Sequence, residues 1–97
     1  MKKIEEIKKI IKNCKPTLEE EFNVKNIGVF GSYTQGEADK DSDIDILVEF
    51  KKPIGFFAFI ELEEFLEKKL KEKVDLVTKK SLKPAIGKRI LKQVSYI

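Results

Sequence analysis

Gly31-Ser32-Tyr33-Thr34-Gln35-Gly36-Glu37-Ala38-Asp39-Lys40-Asp41-Ser42-Asp43-Ile44-Asp45-Ile46-Leu47-Val48 decides how this chain is read. The apolar run Ile27-Gly28-Val29-Phe30 ends where it begins, and Gly-Ser at that point suits a tight turn from a strand into a helix. After ten intervening residues, 33–42, come Asp43 and Asp45, set among Ile44, Ile46, Leu47 and Val48. Residues i and i+2 of a strand share a face, so the two carboxylates are neighbours while Ile44 and Ile46 turn into a core.

Two carboxylates this close repel, and each raises the cost of ionising the other. A cation relieves the pair; hard divalent ions such as Mg²⁺ take oxygen ligands from one or two carboxylates and from substrate phosphates. The Gly31-Ser32 turn offers the other half of such a site, because backbone N–H groups at a helix start, with a hydroxyl beside them, bind anionic oxygens. Asp-x-Asp alone also fits a solvated edge, and Gly-Ser alone an ordinary turn. Their combination in this order, with an apolar strand on each side, points to phosphoryl or nucleotidyl chemistry. It is not a Walker loop, for Gly31-Ser32 lacks the Gly-Lys-Ser/Thr ending of that motif.

Working outward, Ile4, Ile7, Ile10 and Ile11 recur at helical spacing and predict a helix over 2–13. Pro16 interrupts it, and Thr17-Leu18-Glu19-Glu20 has the form of a capping box opening a second short helix that ends at Asn23. Val24 to Phe30 is the first strand, 32–36 a helical turn closed by Gly36, and 37–42 a polar loop. The second strand runs from about Asp43 to Phe50 and is broken by Lys51-Lys52-Pro53. A long helix follows over about 55–71, with Phe56, Phe59, Ile60, Phe65, Leu66 and Leu70 as its apolar stripe and its phenylalanines read as core. Val74-Asp75-Leu76-Val77 is a third strand. A last helix over about 82–93 takes Ser81 as its cap, tolerates Pro84 in its first turn and has Ile86, Ile90 and Leu91 as its apolar edge. The order αβαβαβα predicts a small mixed sheet covered by helices, an α/β or α+β domain occupying 1–97.

Asp75 stands out in its strand. One acid in an apolar run is costly to bury unless it is paired or metal-bound. At the usual strand spacing of about 4.8 Å it would lie beside Asp43 and Asp45 if the second and third strands are adjacent. The alternative is that Asp75 only marks a strand end.

Composition bounds the rest. Ninety-seven residues with 41% hydrophobic content allow one domain with one modest core. The longest uncharged apolar stretch, Ile54 to Ile60, is far too short to span a bilayer, and Met1-Lys2-Lys3 leads into an amphipathic helix rather than a signal peptide. A cytoplasmic location and no membrane partner are expected. Cys14 is alone, so no intrachain disulfide can form, and the absence of histidine excludes Ser-His-Asp and Cys-His mechanisms. Six of the 20 basic residues and none of the 17 acids lie in 79–97, leaving 14 basic against 17 acidic residues in 1–78. A basic tail on an acidic body either attracts phosphates, nucleic acid or an acidic protein face, or is a solvated helix face.

The whole stretch resembles the signature of the minimal nucleotidyltransferases, small members of the DNA polymerase beta-like superfamily. Gly-Ser, ten residues and Asp-x-Asp match without a gap, and Asp75 matches the family's third carboxylate on the strand after the long helix. The resemblance covers roughly residues 24–92, its specific part being 30–48 and Asp75. It implies a polymerase beta-like nucleotidyltransferase fold with Asp43, Asp45 and Asp75 as catalytic and metal-binding residues. Two Mg²⁺ ions about 4 Å apart would clamp the attacking and leaving oxygens of an in-line displacement. Gly31, Ser32 and their amides would hold the β- and γ-phosphates of ATP, and Asp75 would orient or deprotonate the incoming hydroxyl. Many relatives have Ala-Arg-Gly-Glu where this chain has Thr34-Gln35-Gly36-Glu37; Gln35 lacks the positive fork of arginine, and Lys88 or Arg89 could take its place.

Proteins of this size in that family are similar to the antitoxins that partner HEPN-domain ribonuclease toxins. The resemblance therefore implies a Mg-dependent adenylyltransferase that moves AMP from ATP to a tyrosine of a HEPN toxin, with nucleic acid not expected as a direct partner. Two alternatives stay open: an antitoxin that neutralises its partner by contact alone, and a nucleotidyltransferase acting on a small molecule or a nucleic-acid end.

Overall fold

The computed structural model describes residues 2–97. Helices α1 (Ile4–Asn13) and α2 (Lys15–Phe22) lead into strand β1 (Val24–Phe30); a four-residue helix α3 (Ser32–Gln35) and a loop connect to β2 (Ile44–Phe50). Then come α4 (Phe56–Leu70), β3 (Val74–Thr78), a 3₁₀ turn at Lys79–Ser81, α5 (Pro84–Gln93) and a two-residue strand β4 (Ser95–Tyr96). This is the expected mixed α+β architecture with one strand added at the end. The four strands lie in the order β3-β2-β1-β4, with β1 antiparallel to β2 and β4, and β2 parallel to β3.

Alternation along the strands divides the sheet into two faces. Ile44, Ile46 and Val48 of β2 and Val74 and Leu76 of β3 join Ile7 and Ile11 of α1, Leu18 of α2 and Leu62, Leu66 and Leu70 of α4 in one hydrophobic cluster. Asp45, Leu47, Glu49 and Asp75 belong to the alternate positions and to the other face. Burying this set at roughly 1.5–3 kcal/mol per large aliphatic side chain is what fixes the register, since a one-residue slip would carry Asp45 into the core.

The helix boundaries show where local signals yielded. Pro16 does not separate the helices; it sits in the first turn of α2, where its missing N–H costs nothing, and the break falls at Cys14. No side chain caps α2, so the Thr17 capping box does not form. Ser81 is not the cap of α5 either: its Oγ donates to Thr78 O (2.9 Å) inside the 3₁₀ turn, and Lys83 precedes the helix. In α4 the buried stripe is Leu62, Leu66 and Leu70; Phe59 and Phe65 pack partly against it, but Phe56 is 71% exposed and lies outside the core. Ile86 and Leu91 of α5 are likewise exposed.

Strand β4 went unread because two residues carry no periodicity. Its trace in the sequence is Gly28: a Cβ there would come within 2.6 Å of Val94 Cγ2 and crowd the backbone of Ser95 and Tyr96. Lys8 Nζ donates to Ser95 Oγ (2.7 Å), tying α1 to the new edge. The opposite edge, β3, is protected by α4. Glu67 and Glu63 accept from the backbone N–H groups of Val74 (3.0 Å) and Leu76 (3.4 Å), donors that would otherwise invite another strand.

Candidate active site

Three segments converge on the polar face of the sheet. β1 delivers Phe30 opposite Asp45 in the antiparallel ladder, and β3 delivers Asp75 opposite Asp45 in the parallel one. Strands two and three are thus neighbours, and the two acids share a register position. Asp43 stands one residue before β2 and is exposed; Asp45 is partly buried.

Asp75 is exposed, so the cost of burying a charge does not explain it. Proximity to Asp45 does. The Asp45 carboxyl is pushed up from 3.8 to about 6, by burial first, then by the charges of Asp75 and Asp43, and by a hydrogen bond shared with Asp75. Partial burial withdraws the Asp45 charge from water, and the neighbouring carboxylates add repulsion that the protein does not compensate.

Gly31 has a steric task that its place in a turn motif does not reveal. Its φ of +78° and ψ of −148° are conformations that glycine alone adopts readily. A Cβ at this position would also overlap the Asp45 carboxylate. The turn therefore lies directly against the acid. α3 starts immediately after it, with Thr34 Oγ1 and the N–H groups of Thr34 and Gln35 all donating to Gly31 O. The amides of Ser32 and Tyr33 come before the first intrahelical donor, Thr34 N–H, and are available by position to a ligand.

Sequence reasoning missed Tyr33. Its ring is buried and its hydroxyl donates to Glu72 Oε2 (3.2 Å), linking the Gly-Ser turn to the loop that leads into β3. Burial and the Glu72 carboxylate hold this hydroxyl protonated, above its ordinary 10.0. An aromatic in a four-residue helix offers no periodic signal, and its partner lies 39 residues away. Gln35, Lys88 and Arg89 are exposed.

The donor set is all carboxylate oxygen, the chemistry that a hard divalent cation prefers. Among the described residues no three ligating side chains are already closed around one point. The register-paired Asp45 and Asp75, with Asp43 near enough to raise the Asp45 pKa, nevertheless suit such an ion by their charge.

An acidic pair on adjacent strands thus has a glycine turn held directly against it. The family model described as nucleotidyltransferase domain matches residues 4–97, and the chain belongs to this family. It is 52% identical over 94 residues to the protein adenylyltransferase MntA of Thermococcus cleftensis, an alignment covering 97% of this chain and 95% of that one. A structure assigned provisionally to the minimal nucleotidyltransferases superposes with a TM-score of 0.80 at 28% identity, covering 97% of this chain and 95% of the other. A complex of a tri-AMPylated HEPN toxin of Shewanella oneidensis with an MNT antitoxin matches with a TM-score of 0.65 at 25% identity, over 92% of this chain and 70% of that one. Fold and family make this protein an enzyme, a nucleotidyltransferase.

Proposed function

We propose that the protein is a Mg-dependent adenylyltransferase that moves AMP from ATP to a hydroxyl, a tyrosine, of a HEPN-domain toxin, and so acts as its antitoxin. The observation that carries this reading is the placement of Gly31 against Asp45, with Asp75 in register beside it. A triphosphate tail resting on the Ser32 and Tyr33 amides would bring its α-phosphorus toward the carboxylates. The name of the MntA relative and the AMPylated toxin in the S. oneidensis complex support protein as the acceptor.

Asp43, Asp45 and Asp75 would hold the Mg²⁺ ions. Bound there, the metal supplies charge neutralisation at the phosphoryl oxygens and acidifies the attacking hydroxyl. The chain's own residues do the rest. The acceptor oxygen attacks the α-phosphorus, the bond to the β-phosphate oxygen breaks, and pyrophosphate leaves against the Gly31-Ser32 turn. Ser32 Oγ donates to the departing phosphate, and an Asp75 carboxylate oxygen takes the acceptor's proton. Tyr33, fixed by Glu72, keeps turn and β3 at constant separation while charge moves between them.

The test is intact-mass spectrometry of a HEPN-domain partner incubated with the protein, Mg²⁺ and ATP. The partner should gain units of about 329 Da, the mass of one transferred AMP group in metal-assisted nucleotidyl transfer. The gain should require Mg²⁺ and be lost with Asp43→Asn. A partner silenced equally by the wild type and by Asp43→Asn, with no mass gained, makes the protein a contact antitoxin instead.

A further inference from the structure

A groove of about 800 Å³ opens at the other end of β2 and β3, between the β2–α4 connection and the turn after β3. Buried Val48 and Leu76 lie at its base, Ile54 and Phe59 are half-buried along it, and Phe56 stands largely in solvent at its lip. Phe57, 78% exposed, meets the Phe56 ring edge-on at 5.7 Å and extends the apolar surface outward. Two adjacent phenylalanines left in water beside an apolar groove mark a surface that is completed by a partner.

The rim supplies the charge. Lys51, Lys52, Lys79 and Lys80 all line the groove and are exposed. Their backbones are fixed: Lys51 N–H donates to Asn23 O (2.8 Å), and the 3₁₀ turn holding Lys79 and Lys80 is closed by Leu82 N–H to Lys79 O (3.3 Å) and by Ser81 Oγ to Thr78 O. The acid in the lining, Glu49, accepts from Asn26 Nδ2 (2.9 Å), and that bond, with Lys79 nearby, holds its carboxyl below the ordinary value, so Lys79 is partly compensated. Four lysines around an apolar slot, Lys79 shared with Glu49, select a segment that is negatively charged and carries a large apolar side chain. A polyphosphate or a nucleic-acid backbone would use the lysines but leave the apolar base without a partner.

Resting on the protein-acceptor reading above, we infer that this groove docks an acidic segment of the acceptor protein through a large apolar side chain. It is separate from the chemistry. Val48 is three residues beyond Asp45 and Lys51 six, which places the groove roughly 10–20 Å along the strand from the carboxylates. A protein can occupy both places at once, whereas a small acceptor cannot. The groove therefore sets which protein is modified, and the carboxylates set what is done to it.

Kinetics of AMP transfer to a HEPN-domain protein that gains mass with the wild type separate these roles. Lys51→Glu with Lys52→Glu, Lys79→Glu with Lys80→Glu, and Phe56→Asp all alter exposed side chains. Each should raise KM for the acceptor protein at least about tenfold, because cross-interface charge complementarity is lost, with kcat within about twofold. The melting shift produced by Mg²⁺ and ATP should not change in any of them. Equal KM values in wild type and variants overturn the docking site. A second arm is independent of transfer: a fluorescent peptide of about 12 residues, alternating glutamate pairs with leucine or phenylalanine, and a uridine RNA of about 12 nucleotides, the salt-sensitive alternative for a basic surface. Peptide binding that is lost in the lysine and Phe56 variants supports the groove even where no HEPN protein gains mass, in which case only the adenylyl-transfer reading falls. Binding of the RNA through the same lysines, with the peptide ignored, overturns the proposal in favour of a nucleic-acid surface.

Discussion

Replacing Asp45 by asparagine should make the metal-free protein more stable, by an amount that depends on pH. The Asp45 carboxyl sits at about 6 in the folded protein against 3.8 for the ordinary group, through burial, the charges of Asp75 and Asp43, and the hydrogen bond with Asp75. The folded state binds this proton more tightly than the unfolded state does. Its contribution to stability is therefore complete below the unfolded value and is lost as pH rises through about 6. A shift of about two units at about 1.4 kcal/mol each gives a ceiling of about 3 kcal/mol. The side chain is partly solvated, and screening reduces this to about 1–1.5 kcal/mol. In a domain of this size that is a rise in Tm of roughly 4–12 °C. Asparagine keeps the shape and can donate to Asp75, so no cavity or orphaned acceptor offsets the gain. Thermal melts of both proteins in EDTA, from pH 4 to pH 8 at constant ionic strength, provide the assay. The difference should be smallest at pH 4, grow between pH 5 and pH 6.5 and level off above pH 7. Mg²⁺ with ATP should then reverse the order by stabilising only the wild type. A pH-independent difference, or an asparagine variant less stable at pH 7.5, would refute the claim that burial and neighbouring negative charge strain the ionised Asp45.

Gly31→Ala should lower Tm and abolish AMP transfer, because the backbone at φ +78° costs of order 1–3 kcal/mol for a residue with a Cβ and the methyl group would collide with Asp45; wild-type melting and activity would show that the turn gives way. Ser32→Ala removes the hydroxyl proposed to donate to a charged phosphate, a bond worth about 1.5–3 kcal/mol, so transfer should fall roughly ten- to a hundredfold with folding unchanged; unaltered steady-state rates would reduce the hydroxyl to a structural part. In Asp43→Asn the melting shift from Mg²⁺ and ATP, about 2.7 kcal/mol at a hundred times Kd in the wild type, should vanish, and calorimetric titration would expose any binding that survives. Tyr33→Phe loses one hydrogen bond, about 0.5–1.5 kcal/mol, and should slow transfer more than it lowers Tm; a loss confined to stability would remove its positioning role.

Much of this was legible in the chain. Alternation around Asp43–Val48 placed Ile44 and Ile46 in the core and Asp45 opposite them, because side-chain direction in a strand follows from covalent geometry alone. Helical spacing of Ile4, Ile7 and Ile11 and the spacing of Gly31-Ser32 from Asp43 and Asp45 are equally local, and they sufficed for the fold class and the motif. What needed tertiary structure were contacts between residues distant in sequence. The register that puts Asp45 opposite Asp75 depends on how α4 crosses the sheet. The need for glycine at 31 depends on the Asp45 carboxylate that fills its Cβ position, and Gly28 on the return of Val94 and Ser95. Tyr33 found Glu72, and Phe56 left the core for the groove, since burial is decided by what packs opposite a side chain and not by its own hydrophobicity. Periodicity records which way a residue points; only the folded chain determines what it meets there.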